Sequence, residues 1–178
     1  MSDPIVQRTH PALRTPAQEV SEDMFNTPKL EDILQRMEAA LHKEPAGVAL
    51  AANQIALPYK IFIVRYDRLD PNYRPGEDDT PDVGVYINPE IIKHSRKQMK
   101  IEEACLSVHT DDGKLLLGDV ERFEQVTVRA QDQYGETFTR GAGGILSQAF
   151  QHEIDHLNGT LFIDHVDTLY ELQEPDHA

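Results

Sequence analysis

Cysteine is almost absent from this sequence, and other features that would assign it to a class of protein are missing. Of 178 residues only Cys105 carries a thiol, so no internal disulfide can form. Such a lone thiol is either buried as a small apolar side chain or available for metal binding. No apolar run approaches the roughly 20 residues of a membrane-spanning helix, and the N-terminus lacks a signal-peptide pattern. We therefore expect a cytoplasmic protein with no membrane partner.

Positive charge is also scarce. The 17 lysines and arginines stand against 31 acidic residues, which gives a formal net charge of −14. Sequence-independent binding of nucleic acid needs a positive surface that replaces the counterions of the phosphates. The acidic residues are spread along the chain, as is typical of an ordinary solvated surface. We therefore expect no nucleic-acid partner.

The length and the 39% hydrophobic content suit one domain, residues 1–178. A first helix is predicted from a cap at Thr27, a proline at Pro28 and a stop at Pro45. Its core face has helical spacing and comprises Leu30, Ile33, Leu34, Met37 and Leu41.

The rest of the chain alternates between strand patterns and polar loops. β-branched and aromatic residues predict strands at 60–66, 83–89, 124–132, 136–140 and 160–164. The third and fourth of these form a predicted hairpin, and a polar loop separates the first two. A second helix is predicted over 145–157, with Gly159 in its terminating turn. The fold class is therefore α+β, with antiparallel or mixed sheets around one central helix.

The predicted second helix carries the sequence HEIDH. His152 and His156 lie four residues apart, so they share one helix face and could bind one metal ion. Glu153, one step round the helix, could reach a water on that ion. The alternative is a solvent-facing helix whose histidines only titrate, but the apolar residues before the motif argue against it.

Two histidines do not complete a metal site, so a third ligand is needed. In the three-histidine metallopeptidase pattern the third position is Phe162, which cannot bind metal, and His165 comes three residues too late. A downstream glutamate could come only from Glu171 or Glu174, in a short tail. Cys105 is better placed, because the segment EEACLSV (102–108) sets it among small and apolar residues, where we expect the end of a further strand that reaches the site. Its thiolate would leave one coordination position open for water.

A third segment, residues 47–58, is rich in glycine and alanine, so backbone can approach a ligand closely there. Gln54 offers a neutral amide donor suited to a developing oxyanion. The alternative is an ordinary glutamine with no catalytic role.

Taken in order, these three segments resemble the signature motifs of the peptide deformylases. That family is marked by G-x-G-φ-A-A-x-Q, then E-G-C-L-S, then Q-H-E-x-D-H-L-x-G. The chain has GVALAANQ at 47–54, EACLS at 103–107 and QHEIDHLNG at 151–159. The segments at 86–91 and 9–20 are similar too, so the resemblance covers nearly the whole chain.

The resemblance implies a metal-dependent hydrolase that removes the formyl group from formyl-Met at the N-terminus of nascent polypeptides. It implies a role for each motif residue: Cys105, His152 and His156 as metal ligands, Glu153 as general base and then acid, Gln54 and the Leu106 N–H as oxyanion donors. It also implies Fe(II) as the metal, although zinc, nickel or cobalt would suit the same ligands. Glu103 and Arg122 could form an ion pair beside the site, or a plain surface salt bridge.

The sequence departs from the family pattern where substrate contacts are expected. The expected contacts are Gly47, Val48, Ala49, Ala104 and Gln148. Ala49 and Ala104 replace family glycines and would be strained if the backbone there needs a positive φ. Gln148 stands where an aliphatic side chain would better line a methionine pocket, and Asp111 and Asp112 would place negative charge near the substrate's C-terminal side.

These departures leave other functions open. One alternative is a metal-dependent amidase or peptidase of the same fold that acts on a different acyl or peptide substrate. Another is a catalytically silent relative that binds metal or peptide, although a general base such as Glu153 would then be unnecessary. Association with the ribosome is possible, but the acidic tail lacks the basic residues that would favour it.

Overall fold

The computed structural model describes residues 3–69 and 81–172. Within them are two α-helices, α1 (Pro28–His42) and α2 (Gly144–Leu157). The strands are β1 (Ala49–Ala51), β2 (Ile61–Arg65), β3 (Val83–His94), β4 (Gln98–His109), β5 (Leu115–Phe123), β6 (Gln125–Gln131), β7 (Thr137–Gly143) and β8 (Tyr170–Glu171). Most of the predicted polar loop and the acidic tail lie outside the described residues. No helix among the described residues is long and apolar enough to cross a membrane.

The strands form two antiparallel sheets. The larger sheet has the order β1-β2-β3-β6-β7, and the smaller has the order β4-β5-β8. Successive residues of a strand point to opposite faces, and β2 shows this clearly. Ile61 and Ile63 pack with α1, whereas Phe62 and Val64 pack with the side chains of α2. The larger sheet therefore lies between the two helices.

Helix α1 forms where the sequence predicted it. The Thr27 hydroxyl accepts a hydrogen bond from the Leu30 N–H at 3.4 Å, and Pro28 occupies the first turn. All five predicted core residues of this helix are buried. Burial of one large aliphatic side chain contributes about 1.5–3 kcal/mol, so this apolar face holds α1 on the sheet.

Helix α2 is the central helix, because it contacts strands of both sheets. Phe150 and Leu157 are buried in the cluster that joins it to the larger sheet. Gly159 ends the terminating turn with a φ of 78°. A Cβ atom at this position would lie 2.9 Å from the Arg14 carbonyl oxygen, so both conformation and space require glycine.

The α+β prediction, both helices and the β6–β7 hairpin are confirmed. The strand predicted at 160–164 is wrong, because this segment turns into a 3-10 helix, Phe162–His165. The Thr160 N–H donates to the Asp155 carbonyl at 2.9 Å, and the Leu161 N–H donates to the Asp164 carboxylate at 2.9 Å. These local bonds use donors that a strand ladder would need.

Candidate active site

Strand β4 and helix α2 bring three metal-binding side chains together. The ligand atoms of Cys105, His152 and His156 all lie within 4.8 Å of one another. The Cys105 sulfur is 3.1 Å from His156 Nε2, and the two imidazole rings have centroids 4.9 Å apart. Cys105 lies inside β4 rather than at its end, immediately after the residue where regular pairing with β5 is interrupted.

His152 is oriented by a buried carboxylate. Its Nδ1 lies 3.0 Å from Glu103 Oε2, which leaves Nε2 directed towards the other ligands. Glu103 in turn accepts two hydrogen bonds from Arg122, at 2.7 and 2.9 Å, and Arg122 donates to Asp155 at 2.6 Å. Glu103 and Arg122 are both buried, so their pair is an internal support of the site rather than a surface salt bridge.

The surroundings shift the pKa values of His152 and His156 in opposite directions. Burial opposes the charged form of His152, but the Cys105 sulfur and Glu103 raise its pKa well above the ordinary value. Burial and the nearby His152 lower the pKa of His156 well below it. Burial acts to raise the pKa of Glu103, but hydrogen bonds from Arg122 and His152 lower it to about 2. The Cys105 sulfur and the Glu103 carboxylate therefore both favour a positive charge at His152.

Glu153 lies beside the ligands and has no fixed partner for one oxygen. Its side chain is buried, and its Oε2 atom has no hydrogen-bond partner. Burial raises its pKa to about 7, with a further contribution from the negative charge of Glu103. A carboxyl group of this kind exchanges protons near neutral pH, which is the property needed in a general acid and base.

Gln54 presents its amide nitrogen to the site. Its Oε1 accepts a hydrogen bond from the Ala51 N–H at 2.9 Å, which fixes the amide orientation. Its Nε2 lies 3.2 Å from the Ser107 hydroxyl and 3.6 Å from the Cys105 sulfur. Gln54 is buried in the 3-10 helix Ala52–Ile55, so it holds a donor beside the metal ligands.

Leu106 directly follows Cys105 in the irregular part of β4. Its carbonyl accepts a hydrogen bond from Gln7 Nε2 at 3.2 Å. The next N–H, that of Ser107, lies 3.4 Å from the Cys105 sulfur. A Cβ at Gly47 would come within 3.0 Å of the Leu106 side chain, so glycine lets the first and second motifs pack directly together.

A cavity of about 290 Å³ opens onto these side chains. Gln54, Glu103, Cys105, His152 and Glu153 line its polar end. All five expected substrate contacts line it as well, namely Gly47, Val48, Ala49, Ala104 and Gln148. The cavity therefore joins the three sequence motifs at one place.

The departures from the family pattern cause less disturbance than the sequence suggested. Neither Ala49 nor Ala104 has a positive φ, so the alanines are not strained. Asp111 and Asp112 do not line the cavity. Asp111 faces Arg8 at 3.8 Å, and Asp112 accepts a hydrogen bond from Thr110 in the β4–β5 turn. The prediction that these two aspartates face the substrate is therefore not supported.

Sequence reasoning missed four further lining residues: Ala46, Leu115, Ile145 and Ala149. Ile145 and Ala149 could have been found, because Ile145 lies three residues before Gln148 and Ala149 three residues before His152 on the same helix face. Leu115 had no local signal, because only the β4–β5 pairing brings it to the cavity.

The donor set suits a divalent metal ion. One thiolate and two imidazoles are ligands of zinc and iron, and they leave one coordination position open. The second ring nitrogen of His152 already has a carboxylate partner, as metal-bound histidines usually have. The buried and unpaired Oε2 of Glu153 beside the ligands fits a water at the open position. The residues of the site therefore fit a bound divalent metal ion.

The sequence model described as polypeptide deformylase matches residues 2–171. The peptide deformylase of Acidobacterium capsulatum is 38% identical over 169 residues, which covers 95% of this chain and 89% of that protein. That of Salinibacter ruber is 35% identical over 164 residues, 92% of this chain and 80% of that protein.

Solved structures agree. A class I type b peptide deformylase from Acinetobacter baumannii with Met-Ala-Ser bound has a TM-score of 0.78 and 30% identity, and the match covers 93% of this chain and 99% of that one. A peptide deformylase from Legionella pneumophila gives 0.78 and 29%, over 94% and 87% of the two chains. The chain belongs to the polypeptide deformylase family, whose members are metal-dependent hydrolases acting on formylated peptides.

Proposed function

We propose that this chain removes the N-terminal formyl group from nascent polypeptides that begin with formyl-Met, with Glu153 as general base and acid. The observation that carries the proposal is the position of Glu153. Its unpaired carboxylate oxygen lies beside Cys105, His152 and His156 in a cavity whose lining includes several glycine and alanine residues. A small formyl group suits such a cavity better than a bulky acyl group does.

On this proposal Cys105, His152 and His156 hold one divalent metal, and that metal is Fe(II). When bound, the metal lowers the pKa of water and polarises a carbonyl oxygen. The thiolate and two imidazoles suit iron, zinc, nickel and cobalt alike, so the choice of Fe(II) rests on the likeness to the family. A thiolate at an iron site is open to oxidation, so the active form should be sensitive to oxygen.

Glu153 handles the proton. Its carboxylate accepts a proton from the water as the water oxygen attacks the formyl carbon. It then returns that proton to the leaving nitrogen, so the products are formate and a peptide with a free amino terminus. The buried position of Glu153 supports this role, because it places the carboxyl group near its transition between charged and neutral forms.

Gln54 and the Leu106 N–H stabilise the oxyanion that develops on the formyl oxygen. The support for Gln54 is its orientation, since the Ala51 N–H fixes the amide so that Nε2 faces the site. The support for Leu106 is its position next to Cys105, where β4 leaves regular pairing. One such donor typically contributes about 3–4 kcal/mol to transition-state stabilisation.

The peptide lies along the first motif. Among the described residues β1 pairs only with β2, so its other edge is available to an added strand. Val48 accepts a hydrogen bond from the Arg65 N–H at 2.8 Å, so the peptide groups of the next residue, Ala49, point towards the free edge. Ala104 and Gln148 form the opposite walls. The Acinetobacter baumannii structure with Met-Ala-Ser bound supports this class of ligand.

Residues 1–178 form one catalytic domain on this proposal, and it works in the cytoplasm, where nascent polypeptides are made. A net charge of −14 does not favour docking on ribosomal RNA.

The test is a substrate panel with protein purified without oxygen and loaded with Fe(II), Ni(II), Co(II) or Zn(II). Formyl-Met-Ala-Ser should release formate, and acetyl-Met-Ala-Ser should remain intact. Cleavage of the acetyl peptide at a similar rate would assign a broader amidase instead. Equal turnover with all four metals before and after exposure to air would contradict the choice of Fe(II).

A further inference from the structure

Arg68 does not line the cavity. Its guanidinium donates hydrogen bonds to main-chain carbonyls instead. Its Nη1 donates to the carbonyl oxygens of Leu41 at 3.2 Å, Glu44 at 2.7 Å and Gly47 at 2.5 Å. The first of these lies in the last turn of α1, where a positive charge is favourable. The other two lie in the connection from α1 to β1. One guanidinium therefore joins the end of a helix to the start of an edge strand.

The segment held by Arg68 is the wall along which the peptide is proposed to lie. Ala46 and Gly47 line the cavity, and Val48 and Ala49 continue the same wall. From Val48 onwards the backbone is held by β2, through the Arg65 N–H and the β1–β2 pairing. Gly47 precedes this pairing. The bond from Arg68 therefore extends the fixed part of the edge by one residue.

Side-chain packing alone does not fix this residue. Gly47 has no side chain, and a Cβ there would meet Leu41 at 2.9 Å and Leu106 at 3.0 Å. Glycine also has the greatest backbone freedom to lose when it is ordered. In the part of the chain that the structure describes, its peptide groups are held by two hydrogen bonds, from the Gly47 N–H to the Glu44 carbonyl at 2.9 Å and from Arg68 to the Gly47 carbonyl.

We propose that Arg68 is a positioning residue for the substrate: by holding the Gly47 carbonyl it keeps the entry of the β1 edge in the conformation that pairs with a peptide backbone. This proposal rests on the proposed function, because it assumes that the β1 edge receives the peptide. Arg68 itself touches neither the peptide nor the metal ligands. Loss of Arg68 weakens binding more for ligands that place a longer stretch of backbone along this edge.

The experiment compares Arg68→Met with Arg129→Met. Arg129 is exposed on β6 and pairs with Glu90, so the control removes the same groups at a surface ion pair. The first readout is binding of the tripeptide Met-Ala-Ser to Ni(II)-loaded protein by calorimetry, which needs no turnover. Loss of a hydrogen bond from a charged donor predicts a rise in Kd of about tenfold or more in Arg68→Met. No change is expected in Arg129→Met.

The second readout separates positioning from general damage. For formyl-Met-Ala-Ser, KM should rise by about tenfold while kcat stays within about twofold, since the lost interaction serves binding and not chemistry. N-formyl-methioninamide reaches less of the edge, so its KM should change by less than about threefold. An equal loss for the short and the long substrate, or a loss confined to kcat, would overturn the proposal.

Arg68→Lys keeps the inference testable if the methionine variant does not fold. Lysine retains the charge but cannot reproduce the planar guanidinium, so Kd for Met-Ala-Ser should rise by an intermediate factor. Faster hydrogen exchange at the Gly47 and Val48 amides should accompany it, and unchanged exchange with unchanged Kd would overturn the proposal. If the wild-type protein binds Met-Ala-Ser but cleaves no formyl peptide, the proposed function fails while the role of Arg68 is still measured.

Discussion

Two of the three candidate metal ligands are held by partners outside the ligand set. His152 Nδ1 faces Glu103, and the Cys105 sulfur faces the Ser107 N–H and the Gln54 amide. These contacts fix which atoms remain free for the metal, and they do so before any metal is bound. Pre-organised ligands lose less conformational freedom on binding, so these outer contacts should contribute directly to metal affinity.

Replacement of Glu103 tests this at the scale of one residue. Glu103→Gln removes the charge that orients His152 and leaves the buried Arg122 with only Asp155 as a carboxylate partner among its described contacts. We expect the affinity for Co(II) to fall by about 10–100-fold, measured by competition with a chelator. Glu90→Gln, at an exposed pair with Arg129, is the control. Equal affinities in the two variants would contradict a supporting role for Glu103.

Gln54 offers a second test at the same scale. Gln54→Glu keeps the size of the side chain and the acceptor for the Ala51 N–H, but it removes the amide donor that faces the site. We expect kcat for formyl-Met-Ala-Ser to fall by about 10²–10³-fold with little change in metal content. Gln35→Glu on the exposed face of α1 should leave kcat unchanged. A fall of less than about threefold in Gln54→Glu would remove Gln54 from the oxyanion site.

At the scale of elements, α2 depends on how its ends are anchored. Its terminating turn brings Gly159 against the Arg14 carbonyl. In its last turn, the His156 carbonyl accepts a hydrogen bond from the Asn53 side-chain amide at 2.5 Å. The helix that carries the HEIDH motif is thus tied to the N-terminal segment and to the first motif. Displacement of this turn should destabilise the whole protein.

Gly159→Ala tests the anchor by combining two costs. The residue has a φ of 78°, and the new Cβ would lie 2.9 Å from a carbonyl oxygen. We expect the free energy of unfolding to fall by about 2–4 kcal/mol, measured by urea denaturation. Gly113→Ala has a similar φ of 88° but open space, so it should cost only about 1 kcal/mol. Equal losses in the two variants would show that the close contact is unimportant.

Gln148 belongs to the part of the cavity wall that α2 forms. Its Nε2 donates to the Glu102 carbonyl at 3.1 Å, so a polar amide bridges α2 and β4 at the cavity. Gln148→Leu should lower KM for formyl-Met-Ala-Ser by roughly 3–10-fold, because more apolar surface is buried against methionine. Steady-state kinetics with a formyl-Gln-Ala-Ser control will check it. A gain of the same size for both peptides would show that the wall does not contact the first side chain.

At the scale of the whole molecule, the site joins three segments far apart in sequence. The first motif lies in β1 and the 3-10 helix after it, the second in β4, and the third in α2. Helix α2 lies between the two sheets and brings these segments together. The chain carries a net charge of −14, whereas the site contains a buried ion pair between Glu103 and Arg122.

The local part of this arrangement could be predicted from sequence. Thr27 and Pro28 mark the start of α1, and the spacing of His152 and His156 places them on one helix face. Long-range pairing could not be predicted in the same way. Leu115 reaches the cavity only because β5 pairs with β4, and Arg68 reaches the Gly47 carbonyl only because β2 lies beside β1. The strand predicted at 160–164 failed because the Thr160 and Leu161 N–H groups donate locally to the Asp155 carbonyl and the Asp164 carboxylate, which overrides β propensity.

The measurement that tests the account most directly is turnover of formyl-Met-Ala-Ser by wild type and Glu153→Gln, with metal content determined on the same samples. The account predicts one metal per chain in both proteins and a kcat reduced by about 10²–10⁴-fold in the variant. A variant that binds metal equally well and turns over at the wild-type rate would show that Glu153 does not move the proton. The central claim would then be wrong.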